Sequence, residues 1–395
     1  MRVGWGIAAT VALLVGMAGC GSAAATQQPS AVASASVVSS DAASTTPAPT
    51  SPPSTTSADA ALSSAEASLP PEPASSTAPS TAGTPGSFTF AFAGDVNFAD
   101  RTADRLAADP ATAFGVAAAE LDTADLTMVN LETAITTGGA PEAKQFTFRA
   151  PPSALTALSA AGIDVASMAN NHAADYGPVG LQDSLAAIAT SEFPVIGIGA
   201  DDTQAFAPYA TAVNGLTVAV FAATQVPDHT LAYFSAGPGT PGVANANSDL
   251  LVSAVRAAAA QYDVVVVYLH WGTEYESCPN GDQEALAGTL AEAGATAVVG
   301  THAHVLQGAG WRPDGVYVAY GLSNYLWWKS LGNESDDNGV LTLTFGRDAV
   351  TAASFAPAHL DDTGVPVPAT GAEKERIDAD WEQARQCAGL DASPS

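Results

Sequence analysis

Asp263-Val264-Val265-Val266-Val267-Tyr268-Leu269-His270-Trp271-Gly272 is apolar at every position from Val264 to Leu269. A strand with one wet face alternates polar and apolar residues. Six apolar residues in a row therefore read as a strand covered on both faces, the habit of parallel sheets in layered α/β domains. The run stops at His270, and in such folds ligands bind beyond the carboxyl ends of the strands.

The same pattern spreads in both directions from this stretch. Short apolar runs predict strands over 88–93, 126–130, 163–168, 195–198, 216–223, 296–299 and 316–320. Ala-rich segments predict helices over 106–121, 153–161, 179–189, 249–261 and 284–293. Runs at 340–345 and 350–355 look like a closing antiparallel pair, and a charged helix near 373–386 follows a Pro-rich stretch. The alternation gives an α/β layered domain.

Upstream the composition changes. Residues 20–86 are dominated by Ser, Thr, Ala and Pro and contain no aromatic residue. No core could form there to offset the entropy of ordering, so the segment reads as a disordered stalk. Its length corresponds to a coil of about 45 Å, or roughly 200 Å as extended polyproline II. Before it, residues 1–19 combine Arg2 with an apolar run too short to span a bilayer, the pattern of a secretory signal. Met17-Ala18-Gly19-Cys20 resembles the bacterial lipobox, which makes Cys20 the lipidated residue and the protein extracytoplasmic, held to the cell membrane by a lipid anchor only. The expected organisation is signal peptide 1–19, stalk 20–86, folded domain 87–356 and C-terminal extension 357–395.

Among 395 residues, 12 Lys and Arg face 40 Asp and Glu, a net charge of −28. That balance excludes a nucleic-acid partner, whose phosphates need clustered cations. Of three cysteines, Cys278 and Cys387 remain after the lipobox. In an oxidising compartment such a pair reads as a disulfide, the alternative being a thiolate metal ligand at Cys278.

Polar residues gather where the predicted strands end: Gly94-Asp95-Val96-Asn97, Asn130-Leu131-Glu132, Asn170-Asn171-His172, His270-Trp271-Gly272 and Gly300-Thr301-His302-Ala303-His304. Four of the six histidines thus lie at strand ends, and His302-x-His304 keeps two imidazoles close. With Asp95, Glu132, Asn171 and His270 they offer mixed nitrogen and oxygen donors suited to divalent zinc, manganese or iron. Two such ions can activate a water and clamp the oxygens of an in-line displacement. Lys144 and Arg149 are rare cations that could meet an anionic substrate. Glu274 and Glu276 read as an acid–base pair or as a solvated loop pair, and Trp271, Trp311, Trp327 and Trp328 as polymer-stacking or core residues. His229 and His359 have no partners at useful spacing.

These motifs, together with Asp175-Tyr176-Gly177, Glu274-Tyr275, Val305 and Tyr320-Gly-Leu-Ser-Asn324, resemble the bacterial capsule synthesis CapA family, linked to poly-γ-glutamate capsules and grouped with the calcineurin-like metallophosphoesterases. The resemblance implies a four-layer αββα sandwich. It implies Asp95 and His304 at a first metal, Glu132 bridging, and Asn171, His270 and His302 at a second. It makes His172 the residue that meets a transition-state oxygen or protonates the leaving group. Asn97, Asp175, Glu274 and Asn324 complete the candidate set for metal or substrate. In two places the chain departs from the superfamily pattern: Asn97 stands where Asp-x-His is usual, and Glu132 where Asp usually bridges.

Two functions follow. One is a metal-dependent hydrolase of a phosphoester or related bond in an anionic extracellular polymer, working beside capsule-export machinery. The other is a non-catalytic, metal-assisted polymer-binding module. The folded part, with 11 basic and 36 acidic residues, carries about −25, so a polyanion would be repelled unless bound cations offset that charge.

Overall fold

The computed structural model describes residues 86–332 and 334–394. The signal peptide, Cys20 and nearly all of the stalk lie outside the described residues. Two sheets dominate. The first orders its strands Pro366–Pro368, Ala349–Leu360, Asp337–Gly346, Phe88–Val96, Leu126–Leu131, Val165–Ser167 and Val195–Ile196, with Asn324–Leu326 also pairing with Phe88–Val96. The second runs Ala309–Trp311, Tyr317–Ala319, Ala297–Thr301, Val264–His270, Leu216–Thr224 and Tyr209–Val213.

Period-two alternation sorts each strand between two cores. Phe88, Phe90 and Phe92 from the first sheet meet Val218, Val220, Val264, Val266 and Tyr268 from the second, so this apolar layer lies between the sheets. The alternate residues face helices. Ala91, Ala93, Val129 and Leu131 pack with Leu106, Leu155, Leu158 and Leu181 of helices Asp100–Ala108, Ser153–Ala160 and Gly177–Thr190. Val265, Val267 and Leu269 pack with Leu251, Val255, Leu286 and Leu290 of helices Asp249–Ala259 and Gly281–Ala293. The layering is helix, sheet, sheet, helix, and the Val264–Leu269 run is covered on both faces as its composition requires.

Local chemistry sets several boundaries. The single helix expected over 106–121 is instead a helix at Asp100–Ala108, 3-10 turns at Pro110–Thr112 and Gly115–Ala117, and one turn at Ala118–Leu121. Pro110 cannot donate to the preceding turn and Gly115 takes φ +54°, so the helix cannot run through. The closing hairpin is longer than the sequence predicts, Asp337–Gly346 against Ala349–Leu360, and Pro366–Pro368 adds a further strand to it. Helix Gly371–Cys387 buries Ile377, Trp381 and Ala384, and Trp381 stacks on Phe355 at 4.2 Å.

Parallel pairing brings the strand ends together. Asp95 stands opposite Asn130 and Asn130 opposite Ser167 in the first sheet; His270 stands opposite Thr301 and Thr224 in the second. Two glycines permit the close approaches this needs. A Cβ at Gly94 would lie 1.9 Å from the Ser323 carbonyl oxygen, and one at Gly300 would lie 2.1 Å from Trp271 Nε1.

Candidate metal centre

The strand ends of both sheets converge on one buried cluster. Asp95, Glu132 and His270 bring ligand atoms within 4.8 Å of one another, and so do Glu132, His302 and His304, with Glu132 common to both groups. Asp95 sits at a register shift of its strand, with its N–H donating to the Ser323 carbonyl at 2.9 Å. Its carboxylate accepts from Asn130 Nδ2 at 2.8 Å and from the His302 N–H at 3.2 Å.

The imidazoles are oriented by their neighbours. His304 Nδ1 donates to Asn324 Oδ1 at 2.8 Å, which leaves Nε2 as a lone-pair donor. His270 Nε2 donates to Asn171 Oδ1 at 2.8 Å while its Nδ1 faces Thr301 Oγ1 at 3.0 Å and Asn130 Nδ2 at 3.2 Å. His302 takes φ +91° and His304 φ +55°, and Tyr275 and Ser323, in the adjoining loops, are also left-handed. Such backbone costs on the order of 1–3 kcal/mol per residue and persists where surrounding structure enforces it.

Electrostatics mark the cluster as a place for a cation. Burial pushes the Asp95 carboxyl up to about 7, against the hydrogen bonds from Asn130 and His302. Burial, then the nearby Asp95 charge, raises Glu132 well above the carboxylate range. His270 and His302 are pushed well below the usual imidazole range by burial first and then by the neighbouring imidazoles, and His304 falls to about 4 for the same leading reason. The imidazoles are therefore neutral at pH 7. Both Glu132 oxygens, His302 Nδ1 and Asn97 Oδ1 are buried without a hydrogen-bond partner. Leaving such groups unpaired is expensive, and a divalent ion with nitrogen and oxygen ligands fits this donor set.

His172 stands at the edge. Its Nδ1 donates to Asp175 Oδ2 at 2.6 Å, and its Nε2 lies 3.8 Å from Glu132 Oε1. Asp175 also accepts from the Phe148 N–H at 2.7 Å and pairs with Lys144 Nζ at 2.8 Å. Lys144 reaches Asp228 at 3.0 Å and donates to the Asn171 carbonyl as well. Lys144 is thus engaged within the protein rather than held out for a substrate, and Arg149 lies over the Tyr176 ring at 4.6 Å.

Of the residues singled out in the sequence, Asp95, Asn97, Glu132, Asn171, His172, Asp175, His270, His302, His304 and Asn324 meet in this cluster. Asn97 donates its Nδ2 to the Glu132 carbonyl at 2.9 Å, and its buried Oδ1 has no hydrogen-bond partner. Glu274 is exposed, close enough for its charge to act on Glu132. Cys278 and Cys387 stand at disulfide-bonding distance, Cα atoms 5.8 Å apart, and Cys278 belongs to neither ligand group. Trp271 and Trp311 are buried core residues, whereas Trp327 packs 5.0 Å from His304. His229 and His359 pair with Glu142 and Asp337.

Asn130 and Asn170 belong to the strand-end motifs of the sequence but receive no role there. Asn170 Nδ2 donates to Asn130 Oδ1 at 3.0 Å, and Asn130 in turn donates to Asp95, a chain of amides that fixes the carboxylate. The signal was present, since an amide in a fully buried strand demands partners.

The chain is similar to several known proteins. Residues 89–327 match the family described as "Bacterial capsule synthesis protein PGA_cap". The chain is 36% identical over 168 residues to the PGA biosynthesis protein CapA of Bacillus subtilis (strain 168), covering 41% of this chain and 42% of that one. It is 30% identical over 226 residues to the capsule biosynthesis protein CapA of Bacillus anthracis, covering 56% and 54%. The chain therefore spans about half the length of these curated relatives. Among solved structures, a hypothetical protein from Thermus thermophilus aligns at 18% identity and a TM-score of 0.43, over 69% of this chain and 99% of that one.

Proposed function

The chain belongs to the bacterial capsule synthesis protein family PGA_cap, and from that premise we propose that it is a metal-dependent phosphoesterase-like hydrolase acting in the synthesis or anchoring of a capsular, poly-γ-glutamate-like polymer. The observation that carries the reading is Glu132: a buried carboxylate shared by two ligand groups, with neither oxygen hydrogen-bonded.

In this reading Asp95, Glu132, Asn171, His270, His302 and His304 hold two divalent ions of the manganese, zinc or iron class. When bound there, such ions polarise a phosphoryl oxygen and lower the pKa of water to near neutrality. His172 handles the proton. Asp175 takes its Nδ1–H, which fixes the ring and directs Nε2 toward Glu132, in place to protonate a leaving oxygen. Asn324 and Asn130 keep His304 and Asp95 aimed, so little reorganisation is needed at the moment of reaction.

The chain is exported, lipid-anchored through Cys20 and carried beyond the membrane on the 20–86 stalk, where it works beside capsule-export machinery, with Cys278 and Cys387 disulfide-bonded. Among the described residues no helix is long and apolar enough to cross a membrane.

One observation favours the second reading, a non-catalytic module that binds an anionic polymer through its cations. Asn97 offers an amide oxygen where the superfamily supplies imidazole, and an amide is the weaker ligand. Elemental analysis of the full chain, with hydrolysis of bis(p-nitrophenyl) phosphate under manganese or zinc, separates the two. Two ions per chain with turnover abolished by His172→Ala supports the hydrolase. Ions without turnover favours the binding module, and no ions refutes both.

A further inference from the structure

Lys329 is a cation near the metal centre to which this chemistry gives no part. Its Nζ lies 4.6 Å from the centre of the Trp328 ring and 4.9 Å from that of Phe146. Arg312, Arg347, Lys374, Arg376 and Arg385 each sit against a carboxylate, and Lys144 sits against two. Among the described residues Lys329 makes no such ion pair, and neither do Arg101, Arg105, Arg149 and Arg256; of these, Arg101 and Arg105 donate to backbone carbonyls and Arg149 lies over the Tyr176 ring, whereas Lys329 stands at the end of the aromatic side chains that touch His172 and His304. In a domain with 36 acidic and 11 basic residues, a cation held on aromatic faces instead of a carboxylate keeps its charge available to a ligand.

The position is built rather than incidental. Phe148 packs 4.5 Å from His172 and 5.6 Å from Trp328, and Trp327 packs 5.0 Å from His304, so an aromatic wall leads from the metal centre to Lys329. Buried Asp336 pins the loop, accepting from the Leu331 N–H at 3.0 Å, the Gly332 N–H at 2.8 Å and the Ser330 hydroxyl. Arg101 Nε holds the Trp327 carbonyl at 3.1 Å. A lysine normally spends side-chain entropy to meet an anion, and a cation–π cradle has already met part of that cost. Phe146 meanwhile stays 42% exposed, an unusual place for a large apolar ring.

We propose that Lys329, cradled by Phe146 and Trp328, is an anion subsite that binds a second negative group of the substrate, apart from the group that meets Asp95, Glu132 and the histidines. The ligand class is a flexible polyanion, whose negative groups are carboxylates or phosphates. The inference rests on reading the metal cluster as the substrate site and extends it by naming what lies along the aromatic wall.

The test titrates the full-length, manganese-loaded chain with three probes: inorganic phosphate, tripolyphosphate and γ-linked tetraglutamate. Binding is read by calorimetry and by tryptophan fluorescence, for wild type, Lys329→Met and Lys329→Arg. Lys329→Met is expected to weaken whichever polyanion the subsite takes by about tenfold, the loss of one charge-assisted contact. Lys329→Arg retains most of the affinity, and inorganic phosphate binds all three proteins alike. The two polyanion arms identify phosphate or carboxylate as the natural partner. Equal affinities in wild type and Lys329→Met, equal losses for phosphate and polyanions, or no polyanion binding to wild type would each overturn the proposal. If phosphate fails to bind while a polyanion binds in a Lys329-dependent way, the hydrolase reading falls and the subsite stands.

Discussion

Replacing Asp95 by Asn should stabilise the metal-free protein at alkaline pH and destabilise it in the presence of metal. Burial lifts the native Asp95 carboxyl from the usual 3.8 to about 7. Between those values the native state holds a proton that the unfolded chain has released, so wild-type stability falls as pH rises, by about 1.4 kcal/mol per pH unit. From pH 5 to pH 8 this amounts to roughly 2.7 kcal/mol, incurred over the two units up to about 7. Asp95→Asn does not titrate and escapes that loss. Against it stands a pH-independent cost, because Asn offers one acceptor where Asn130 and the His302 N–H now use two oxygens; one donor left unpaired costs about 1–3 kcal/mol. The imidazoles of His270, His302 and His304 titrate in both proteins, whereas Glu132 loses the upward push of the Asp95 charge in the variant, which adds to the difference and makes the Asp95 figure a lower bound. Urea unfolding of the full chain in chelator, at pH 5 and pH 8, measures it. The stability of the variant relative to wild type should rise by roughly 2.7 kcal/mol or more between the two values. Manganese at about 100 times its Kd should then add about 2.7 kcal/mol per bound ion to wild type and restore its lead. A variant-to-wild-type difference that is the same at both pH values would refute the argument that a buried, proton-holding Asp95 awaits a cation.

Three further outcomes follow from other contacts. Gly94→Ala drives a methyl against the Ser323 carbonyl, 1.9 Å away, and should cost about 1–3 kcal/mol in chemical denaturation while lowering metal content; an unchanged midpoint would show that the strand can shift freely. Asn324→Ala removes the acceptor of His304 Nδ1 and should weaken metal binding roughly 10- to 100-fold by calorimetry, the cost of losing a ligand's orienting partner. Cys387→Ser should lower stability by up to about 4–5 kcal/mol, since the paired cysteines are 109 positions apart. Wild type in reductant should match the variant, and insensitivity of wild type to reductant would argue that the thiols are free.

Much of this molecule is legible in its sequence because strand burial writes itself as composition. The Val264–Leu269 run could only be a strand covered on both sides, and Phe88, Phe90 and Phe92 alternate with small residues that face helices. The histidines at strand ends are legible for the same reason, since parallel strands deliver their carboxyl ends to one edge. Helix limits near Pro110 are harder, because a favourable Ala-rich composition hides a local break. The engagement of Lys144 is not legible at all, because nothing local shows that Asp175, Asp228 and the Asn171 carbonyl converge on it.

The sequence by itself determined the layered α/β class, the acidic surface and the identity of the donor residues, all of which follow from side-chain chemistry and periods of two and 3.6. Tertiary structure alone decided which donors share an ion-sized space, that Asn130 braces Asp95, and that Lys329 rests on Phe146 and Trp328. Asp95 meets Asn130 and His302 across 35 and 207 positions, and Lys329 meets Phe146 from a separate loop of the chain, although Trp328 is its sequence neighbour. Distance in space between such residues is set by how two sheets pack, a property of the whole core that no local stretch of sequence encodes.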